Sequence, residues 1–286
     1  MCCRTDVNAS KNGSFPAGYW GSNAECDVPI RTFNLFLDQI KNEDLDFVIW
    51  TGDNTAHDIW KQSQSYNLNF TVLLTDLMKA KFKVPVIPAL GNHESYPVNV
   101  YEWGKGNSIE LNDGVAEAWR DWIGPEAAKV LKETGYFSTV LEKFNLKVIA
   151  LNTQAGNDEN WVLMKNPTDP GQHLEWLRKE LLASEKSNQL VYIIGHIPPQ
   201  DNVDEWGSRF NLLIERFNYI IRGQFYGHTH NDHLAFFTAS NDTTRKIINN
   251  YLVAPSFTTS TDRNPRYRIL KVDRDTMRVV DYDQFK

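Results

Sequence analysis

The sequence predicts one large α/β domain built around a mostly parallel sheet, with helices on both outer faces. Two observations predict this fold class. Short buried apolar runs alternate with amphipathic helical segments between residues 45 and 227, which is typical of strands joined by helices. Four further strand-like runs between residues 232 and 284 add an antiparallel part to the predicted sheet.

The first 28 residues are polar and rich in Gly, Asn and Ser, so we expect an irregular loop segment there that carries a disulfide. Residues 29–286 are expected to form the single domain. Pro29 precedes a run of apolar residues at helical spacing, which predicts a helix from Ile30 to Ile40. By the same reasoning, further helices are predicted at 67–81, 113–123, 171–184 and 210–217. Strands are predicted at 45–51, 84–90, 189–195 and 222–227, in a hairpin over 135–152, and in the tail at 233–239, 246–253, 266–272 and 277–283.

Bulk composition limits the classes of function. With 286 residues, of which 41% are hydrophobic, the chain can bury a substantial core. The net charge of −6 is spread over interspersed acids and bases, which excludes a nucleic-acid polymer as partner. No apolar run approaches the roughly 20 residues of a membrane-spanning helix, and the N-terminus does not read as a signal peptide.

Glycosylation sequons favour the secretory route all the same. Four are present, at Asn8, Asn12, Asn69 and Asn241. A single sequon arises often by chance, but four in this length favour a secreted or lysosomal protein.

All three cysteines lie near the start of the chain. A bridge from Cys3 to Cys26 would stabilise the fold by roughly 3 kcal/mol on the chain-entropy account. Cys2 would then lack a partner, which suggests a chain that starts downstream of its relatives' usual beginning. Three buried free thiols and an acylated N-terminus are the alternatives.

Polar residues follow four of the predicted strands directly, in the segments GDNTAH, GNHES, HIPP and HTHNDH. Because ligands bind at the carboxyl ends of the strands in an open α/β sheet, these segments are expected to converge at one edge. If each of these residues is considered alone, a structural role is the simpler interpretation: a helix cap, a turn former or a hydrogen-bonded polar group. Together, a carboxylate, an amide and imidazoles without cysteine suit Zn, Mn or Fe better than calcium or a structural zinc site. The candidates are Asp53, His57, Asn92, His93, His196, His228 and His230.

In this order, the motifs GDN, GNHE, GH and GHTH resemble those of the calcineurin-like metallophosphoesterase superfamily, over residues 45–233. The flanking segments FPAGYWG, VIWTGDNTAHDIW, PALGNHESYPVN, GHIPPQ and VAPSFTTSTDRNPRYRI are similar to those of acid sphingomyelinases and their phosphodiesterase-like relatives. The resemblance extends over nearly the whole chain and implies a β-sandwich of the metallophosphoesterase type.

By this resemblance, the site holds two zinc ions bridged by Asp53. Its implied ligands for one ion are Asn92, His196 and His228, while His230 contributes to the other. The family pattern also has an earlier strand that ends in an Asp-x-His pair, and this sequence has no such pair. One metal shell is therefore expected to be complete and the other incomplete, in a chain truncated at both ends relative to the family.

The implied catalytic groups are His93, as the general acid that protonates the leaving alkoxide, and His57, which binds a phosphate oxygen or assists that transfer. Glu94 and Asp232 are interpreted either as residues that orient ligand imidazoles or as polar loop residues. His233 is expected to be a spacer or an outer group.

The resemblance implies a metal-dependent phosphodiesterase that hydrolyses sphingomyelin to ceramide and phosphocholine, with transient contact at a membrane surface. Hydrolysis of nucleotide or other phosphodiesters, a catalytically silent metal-binding variant and a plain α/β scaffold remain the alternatives. Trp20, Trp60 and Trp206 are candidates for a choline-binding cleft, whereas Trp50 is expected in the core. His173 is expected on the surface.

Overall fold

The computed structural model describes residues 16–240 and 243–286 of the chain. Within them, the helices are α1 (Ile30–Ile40), α2 (Gln64–Lys81), α3 (Asn107–Ile123), α4 (Pro125–Thr134), α5 (His173–Lys186) and α6 (Asp204–Phe217). The strands are β1 (Val48–Trp50), β2 (Val86–Pro88), β3 (Phe137–Leu141), β4 (Leu146–Ala150), β5 (Leu190–Ile194), β6 (Ile221–Tyr226), β7 (His233–Thr238), β8 (Ile247–Val253), β9 (Tyr267–Val272) and β10 (Val279–Phe285).

Six of these strands form the main sheet, in the order β3-β4-β5-β6-β8-β7. The central strands β4, β5, β6 and β8 run parallel, and the two edge strands β3 and β7 are antiparallel to their neighbours. Strand β5 has the sequence LVYII and is almost wholly buried. Such continuous apolar runs are typical of parallel strands that are covered on both faces.

Two smaller sheets lie over the main sheet. β1 pairs with β2 in parallel, and β9 pairs with β10 in antiparallel. One core forms between α3, β2 and one face of the main sheet, and α5 and α6 close the opposite face in a second core. A third core joins α1 and α2 to β1 and β2. The molecule is therefore a sandwich of sheets with helices on both outer faces, and the predicted fold class is confirmed.

Most predicted elements correspond to observed ones within a few residues. The structure adds α4, which was not predicted because only Gly124 separates it from α3, so that the two helices read as one irregular segment. Helix α6 starts at Asp204, six residues before its predicted start at 210. The first turn of α6 is largely polar, so the apolar periodicity of the sequence is weak there.

Two predictions about single residues are wrong. His173 is buried rather than on the surface, with its ring stacked on Tyr136 at a centroid distance of 4.6 Å. Trp206 is 1% exposed and stacks on Phe210 in the core, so it does not line a cleft. Trp20 and Trp60 are 54% and 70% exposed. In both wrong cases the residue lies in the first turn of a helix that packs against the main sheet, and a tertiary contact decides its burial.

The predictions for the N-terminal segment are tested in part. Cys26 is buried and disulfide-bonded. Its predicted partner Cys3 lies outside the described residues, as do Cys2 and the sequons at Asn8, Asn12 and Asn241. Asn69 has an exposed side chain on α2. None of the described helices is long and apolar enough to cross a membrane.

Candidate metal centre

The turn after β1 brings Asp53 against the loop that follows β2. Gly52 has φ +88°, and a Cβ atom built on it would lie 2.5 Å from the backbone nitrogen of Gly91. Asp53 itself has φ 58°. Most residues with a side chain rarely adopt a positive φ, and the close contact with Gly91 leaves no room for a Cβ at position 52, so only glycine fits there. This tight turn holds the backbone of Asp53, and with it the carboxylate, in place.

The side chain of Glu94 connects the loop after β1 to the loop after β2. Its side chain is fully buried and accepts backbone hydrogen bonds from Asp53 (3.0 Å), Asn54 (2.7 Å) and Gly91 (2.6 Å). Burial, and next the charge of Asp53, raise the pKa of Glu94 to about 7. The sequence left open whether Glu94 orients an imidazole or is a polar loop residue. In the structure it contacts backbone amides, so it fixes the positions of both ligand-bearing loops.

Three side chains form the centre of the site. One ligand atom each from Asp53, His196 and His228 lies within 4.8 Å of the others. The Nδ1 atom of His196 is 2.6 Å from the carbonyl oxygen of Thr51, so it carries the proton and donates it. The other ring nitrogen, Nε2, faces Asp53, with 2.8 Å between it and Oδ2.

Asn92 and His93 attach to this centre. Asn92 is 3% exposed, and its Oδ1 lies 3.1 Å from Nδ1 of His228. The backbone N–H of His93 donates to Oδ1 of Asp53 at 2.9 Å. His228 has φ 70° and His230 has φ 55°. Left-handed backbone at three non-glycine residues of one site is strain of the kind that the surrounding structure maintains at functional positions.

A second group of imidazoles lies beside the first. The ring of His57 is 4.9 Å from that of His93 and 5.2 Å from that of His230, between ring centroids. His230 is therefore in the site, next to His57, but it is outside the group of three close ligand atoms. Burial is the main cause that lowers the pKa of both His93 and His230 below the ordinary value.

Asp27 is a site residue that the sequence argument missed. One of its oxygens lies 2.8 Å from Nδ1 of His57, and the other accepts the His57 backbone N–H at 2.8 Å. The hydroxyl of Thr258 donates to the same carboxylate at 2.6 Å. The hydrogen bond that the His57 side chain donates to Asp27 is the largest cause that raises the pKa of His57. The available signal was its position directly after Cys26, in a segment that carries the family resemblance.

Asp232 and His233 point away from the centre. Asp232 forms an ion pair with Arg268, and Nε2 of His233 lies 3.1 Å from the side-chain oxygen of Gln200. Asp232 therefore does not orient a ligand imidazole. Gln200 also accepts a hydrogen bond from Tyr251, which ties this corner to the main sheet.

The donor atoms of the centre fit a divalent cation. His196 Nε2 is buried and lies 2.8 Å from Oδ2 of Asp53, so a nitrogen and a carboxylate oxygen face each other at the centre. Burial lowers the pKa of His228 to about 4, with a smaller contribution from His196. A neutral imidazole next to an ionised carboxylate is the form that binds a metal. With an amide oxygen added and no thiolate, the set suits a first-row divalent ion.

A candidate site for a divalent metal at the edge of this α/β sandwich is typical of the metallophosphoesterase fold, and residues 21–232 match the calcineurin-like phosphoesterase family. The chain belongs to that family. The solved structures agree on the fold. A dimetal phosphatase from Danio rerio superposes with a TM-score of 0.51 over 78% of this chain and 76% of its own, at 14% sequence identity.

Other proteins are more similar to this chain in sequence than the solved structure is, and they indicate which members of the family it resembles. A sphingomyelin phosphodiesterase from Bos taurus is 39% identical over 280 residues, which cover 96% of this chain and 44% of that protein. A human cyclic GMP-AMP phosphodiesterase is 29% identical over 299 residues, covering 98% of this chain and 63% of that protein. The chain thus spans about half the length of the sphingomyelin phosphodiesterases that it matches.

Proposed function

We propose that this chain is the catalytic region of a phosphoric diester hydrolase that cleaves sphingomyelin to ceramide and phosphocholine. The observation that carries the proposal is the convergence of Asp53, His196 and His228, with three further imidazoles beside them. The identity with sphingomyelin phosphodiesterases along 96% of the chain supports this choice of substrate.

We assign the ligands from the donor atoms available. Asp53, Asn92, His196 and His228 would hold one ion, and Asp53 with His230 would form part of a second site. Bound divalent cations, which we propose to be zinc, would supply a Lewis acid that activates water and neutralises charge on the phosphate. Because the sequence has no Asp-x-His pair, the second set of ligands is incomplete within the chain itself.

Proton transfer to the leaving group is assigned to His93, whose backbone is held by Asp53. Its pKa is lowered by burial, which makes it a readier proton donor when charged. His57 would bind a phosphate oxygen or pass a proton to His93. The Asp27 carboxylate fixes the ring of His57 and favours its cationic form, and a cation suits contact with an anionic phosphate.

The proposal is tested by measuring phosphocholine release from sphingomyelin in mixed micelles, with zinc present. We expect turnover that His93→Ala lowers about 100-fold to 10,000-fold, the usual contribution of a general acid. His233→Ala is the matched control, since His233 contacts Gln200 outside the centre, and it should retain the parent rate. A metal-binding chain with no turnover on any phosphodiester would instead support the silent variant.

A nucleotide phosphodiester is the second candidate substrate, supported by the similarity to a cyclic GMP-AMP phosphodiesterase. Assays on cyclic GMP-AMP in parallel with sphingomyelin separate the two. A kcat/KM at least tenfold higher for the nucleotide would replace the lipid as the proposed substrate.

We also propose that residues 29–286 form one catalytic domain, joined to a loop segment over 1–28 by a Cys3–Cys26 disulfide.

A secreted or lysosomal location is supported by the disulfide at Cys26. The proposed glycan sites are Asn8, Asn12, Asn69 and Asn241. Mass spectrometry of the secreted chain before and after deglycosylation tests the location and the glycans together.

Exposed Trp20 and Trp60 are candidates for transient contact with a lipid surface.

A further inference from the structure

Helix α2 buries a row of polar side chains on one face. Its buried residues include Gln64, Asn67, Thr71 and Thr75, which lie three or four positions apart and therefore share one side of the helix. A helix that packs against a core normally has apolar residues at such positions. Because a buried polar group is costly unless it has a partner, the hydrogen bonds of this face indicate its role.

Asn67 directs its amide at the loop after β2. The side chain is fully buried, and Nδ2 donates to the backbone carbonyl oxygen of His93 at 2.9 Å and to that of Ser95 at 3.4 Å. The hydroxyl of Thr55 donates to the same carbonyl oxygen of His93 at 3.2 Å. That oxygen therefore accepts two side-chain hydrogen bonds, one from α2 and one from the loop after β1.

The ring of His93 is oriented mainly through its backbone. Its backbone N–H donates to Asp53, so both backbone groups of His93 have side-chain partners. Its Nδ1 atom, in contrast, is buried and has no hydrogen-bond partner in the part of the chain that the structure describes. His57 differs, since its Nδ1 lies 2.8 Å from Asp27. The direction of the His93 ring thus depends on the two backbone contacts and on packing against the ring of His57.

Asn67 makes its contact at a cost in stability. Its Oδ1 atom is buried without a hydrogen-bond partner among the described residues. The reverse orientation of the amide would place this oxygen against two carbonyl oxygens, so the NH₂ group must face the loop. A leucine of similar shape would avoid the unpaired oxygen. The amide at this position is therefore explained by the donor that it presents to His93.

We propose that Asn67 is a positioning residue for the general acid: it holds the backbone of His93 so that the imidazole is directed at the leaving oxygen. The inference rests on the proposed function, in which His93 protonates the departing alkoxide. Zinc binding should change little on substitution, because the side-chain hydrogen bonds of Asn67 go to the carbonyl oxygens of the loop.

A role in positioning a proton donor has its own kinetic signature. An alkoxide needs a proton to leave, whereas p-nitrophenolate is stable enough to leave without one. A displaced His93 therefore slows the cleavage of sphingomyelin and spares the cleavage of p-nitrophenyl phosphocholine. A general loss of structure would slow both reactions.

The experiment measures kcat on both substrates for the parent chain and for Asn67→Leu, with zinc present. We expect the variant to release phosphocholine from sphingomyelin at least about tenfold more slowly, and to release p-nitrophenol at no less than about one third of the parent rate. His93→Ala should show the same selectivity. In the His93→Ala background, Asn67→Leu should cost less than about twofold, because the group that it positions is gone.

Thr75→Val is the matched control. Thr75 lies on the same buried face of α2, where its hydroxyl donates to the carbonyl oxygen of Thr71 and accepts from Trp119 at 3.0 Å. Neither partner belongs to the loop after β2. This variant therefore loses buried hydrogen bonds but should retain the parent's ratio of the two rates.

A second pair of variants removes or retains the other donor to the same carbonyl oxygen. Thr55→Val preserves the shape of the side chain and loses the hydroxyl, whereas Thr55→Ser retains the hydroxyl. The valine variant should lower the rate on sphingomyelin more than the rate on p-nitrophenyl phosphocholine, and the serine variant should not. This pair decides the question if Asn67→Leu does not fold.

A readout without substrate separates this inference from the proposed function. In NMR spectra of the chain with isotopically labelled histidine, the Cε1 signal of His93 is identified by its absence in His93→Ala. We expect Asn67→Leu to shift or broaden this signal and Thr75→Val to leave it unchanged. If the parent cleaves neither substrate, the proposed function fails and the signal alone decides on the positioning role. An unchanged signal in Asn67→Leu, or equal losses on both substrates, would overturn that role.

Discussion

At the scale of single residues, the site depends on contacts between side chains far apart in sequence. Glu94 holds the backbone of both ligand loops, and Asp27 holds His57 across 30 positions. Glu94 lies in the polar segment GNHES after the second predicted strand, whereas Asp27 follows no predicted strand. The sequence argument, which took the first polar residues after each strand, therefore identified the groups in the centre but missed Asp27 among those that position them.

Asp27→Asn tests this positioning. The amide still accepts one hydrogen bond, but it loses the charge and one acceptor oxygen facing His57. We expect kcat to fall about 10-fold to 100-fold, as is usual when a group that orients a site imidazole is removed, with KM changed less than threefold. Steady-state kinetics on the phosphodiester substrate measure both quantities.

Thr258→Val is the graded control, because it removes one hydrogen bond to Asp27 and leaves the carboxylate in place. Its loss of kcat should be smaller. If Asp27→Asn lowers the unfolding free energy and kcat in proportion, Asp27 stabilises the fold and does not position His57.

At the scale of elements, each ligand depends on the way a strand ends. β1 ends in a glycine turn that touches the β2 loop, and β5 and β6 place His196 and His228 at the same edge. The sequence predicted these strands because their apolar runs are continuous. It did not predict α4, because only Gly124 separates this helix from α3.

Gly52→Ala should be strongly destabilising. The added Cβ meets the backbone of Gly91 at 2.5 Å, and the residue has φ +88°. We expect a loss of more than about 1 kcal/mol in the free energy of unfolding, since backbone cannot move aside as a side chain can. Urea denaturation measures this loss.

Gly207→Ala in α6 is the matched control. Its new Cβ would lie 3.4 Å from the Cβ of Asn202, an ordinary contact. Alanine favours the helix over glycine by about 0.5–1 kcal/mol, so this variant should be as stable as the parent or more stable. Equal losses at the two positions would show that the Gly52 turn tolerates a side chain.

Helix α5 begins with His173 in the core, where burial lowers the imidazole pKa to about 3. The unfolded chain binds a proton near pH 6.5, so stability falls as the pH drops below that value, by about 2 kcal/mol at pH 5. His173→Phe retains the stacking on Tyr136 and removes the titration.

Urea unfolding at pH 7 and pH 5 tests this expectation. The parent should lose about 2 kcal/mol more than His173→Phe between the two values. The prediction is wrong if both lose the same amount. An acid-sensitive residue in the core would set a lower limit to the working pH of the protein.

At the scale of the whole molecule, the sandwich brings loops from two sheets to one place. β1 and β2 supply the carboxylate and the amide, and the main sheet supplies the imidazoles. A bound cation would therefore connect two layers that otherwise meet through side-chain packing. Metal binding and stability are expected to be linked in such a molecule.

Removal of metal tests this linkage. At a zinc concentration 100 times the dissociation constant, binding to the folded chain alone adds about 2.7 kcal/mol to the free energy of unfolding. We expect a chelator to lower the melting temperature of the parent and to leave that of His228→Ala unchanged. His233→Ala should respond as the parent does. A plain α/β scaffold would show no shift in any of them.

The sequence by itself determined the fold class and most of the centre. Continuous apolar strands must be buried on both faces, and parallel strands bring their carboxyl ends to one edge, so Asp53, His196 and His228 could be grouped from their positions alone. Only the tertiary structure decided what surrounds them. The Asp27–His57 pair and the burial of His173 both depend on which surfaces of distant segments face each other, and local periodicity carries no information on that.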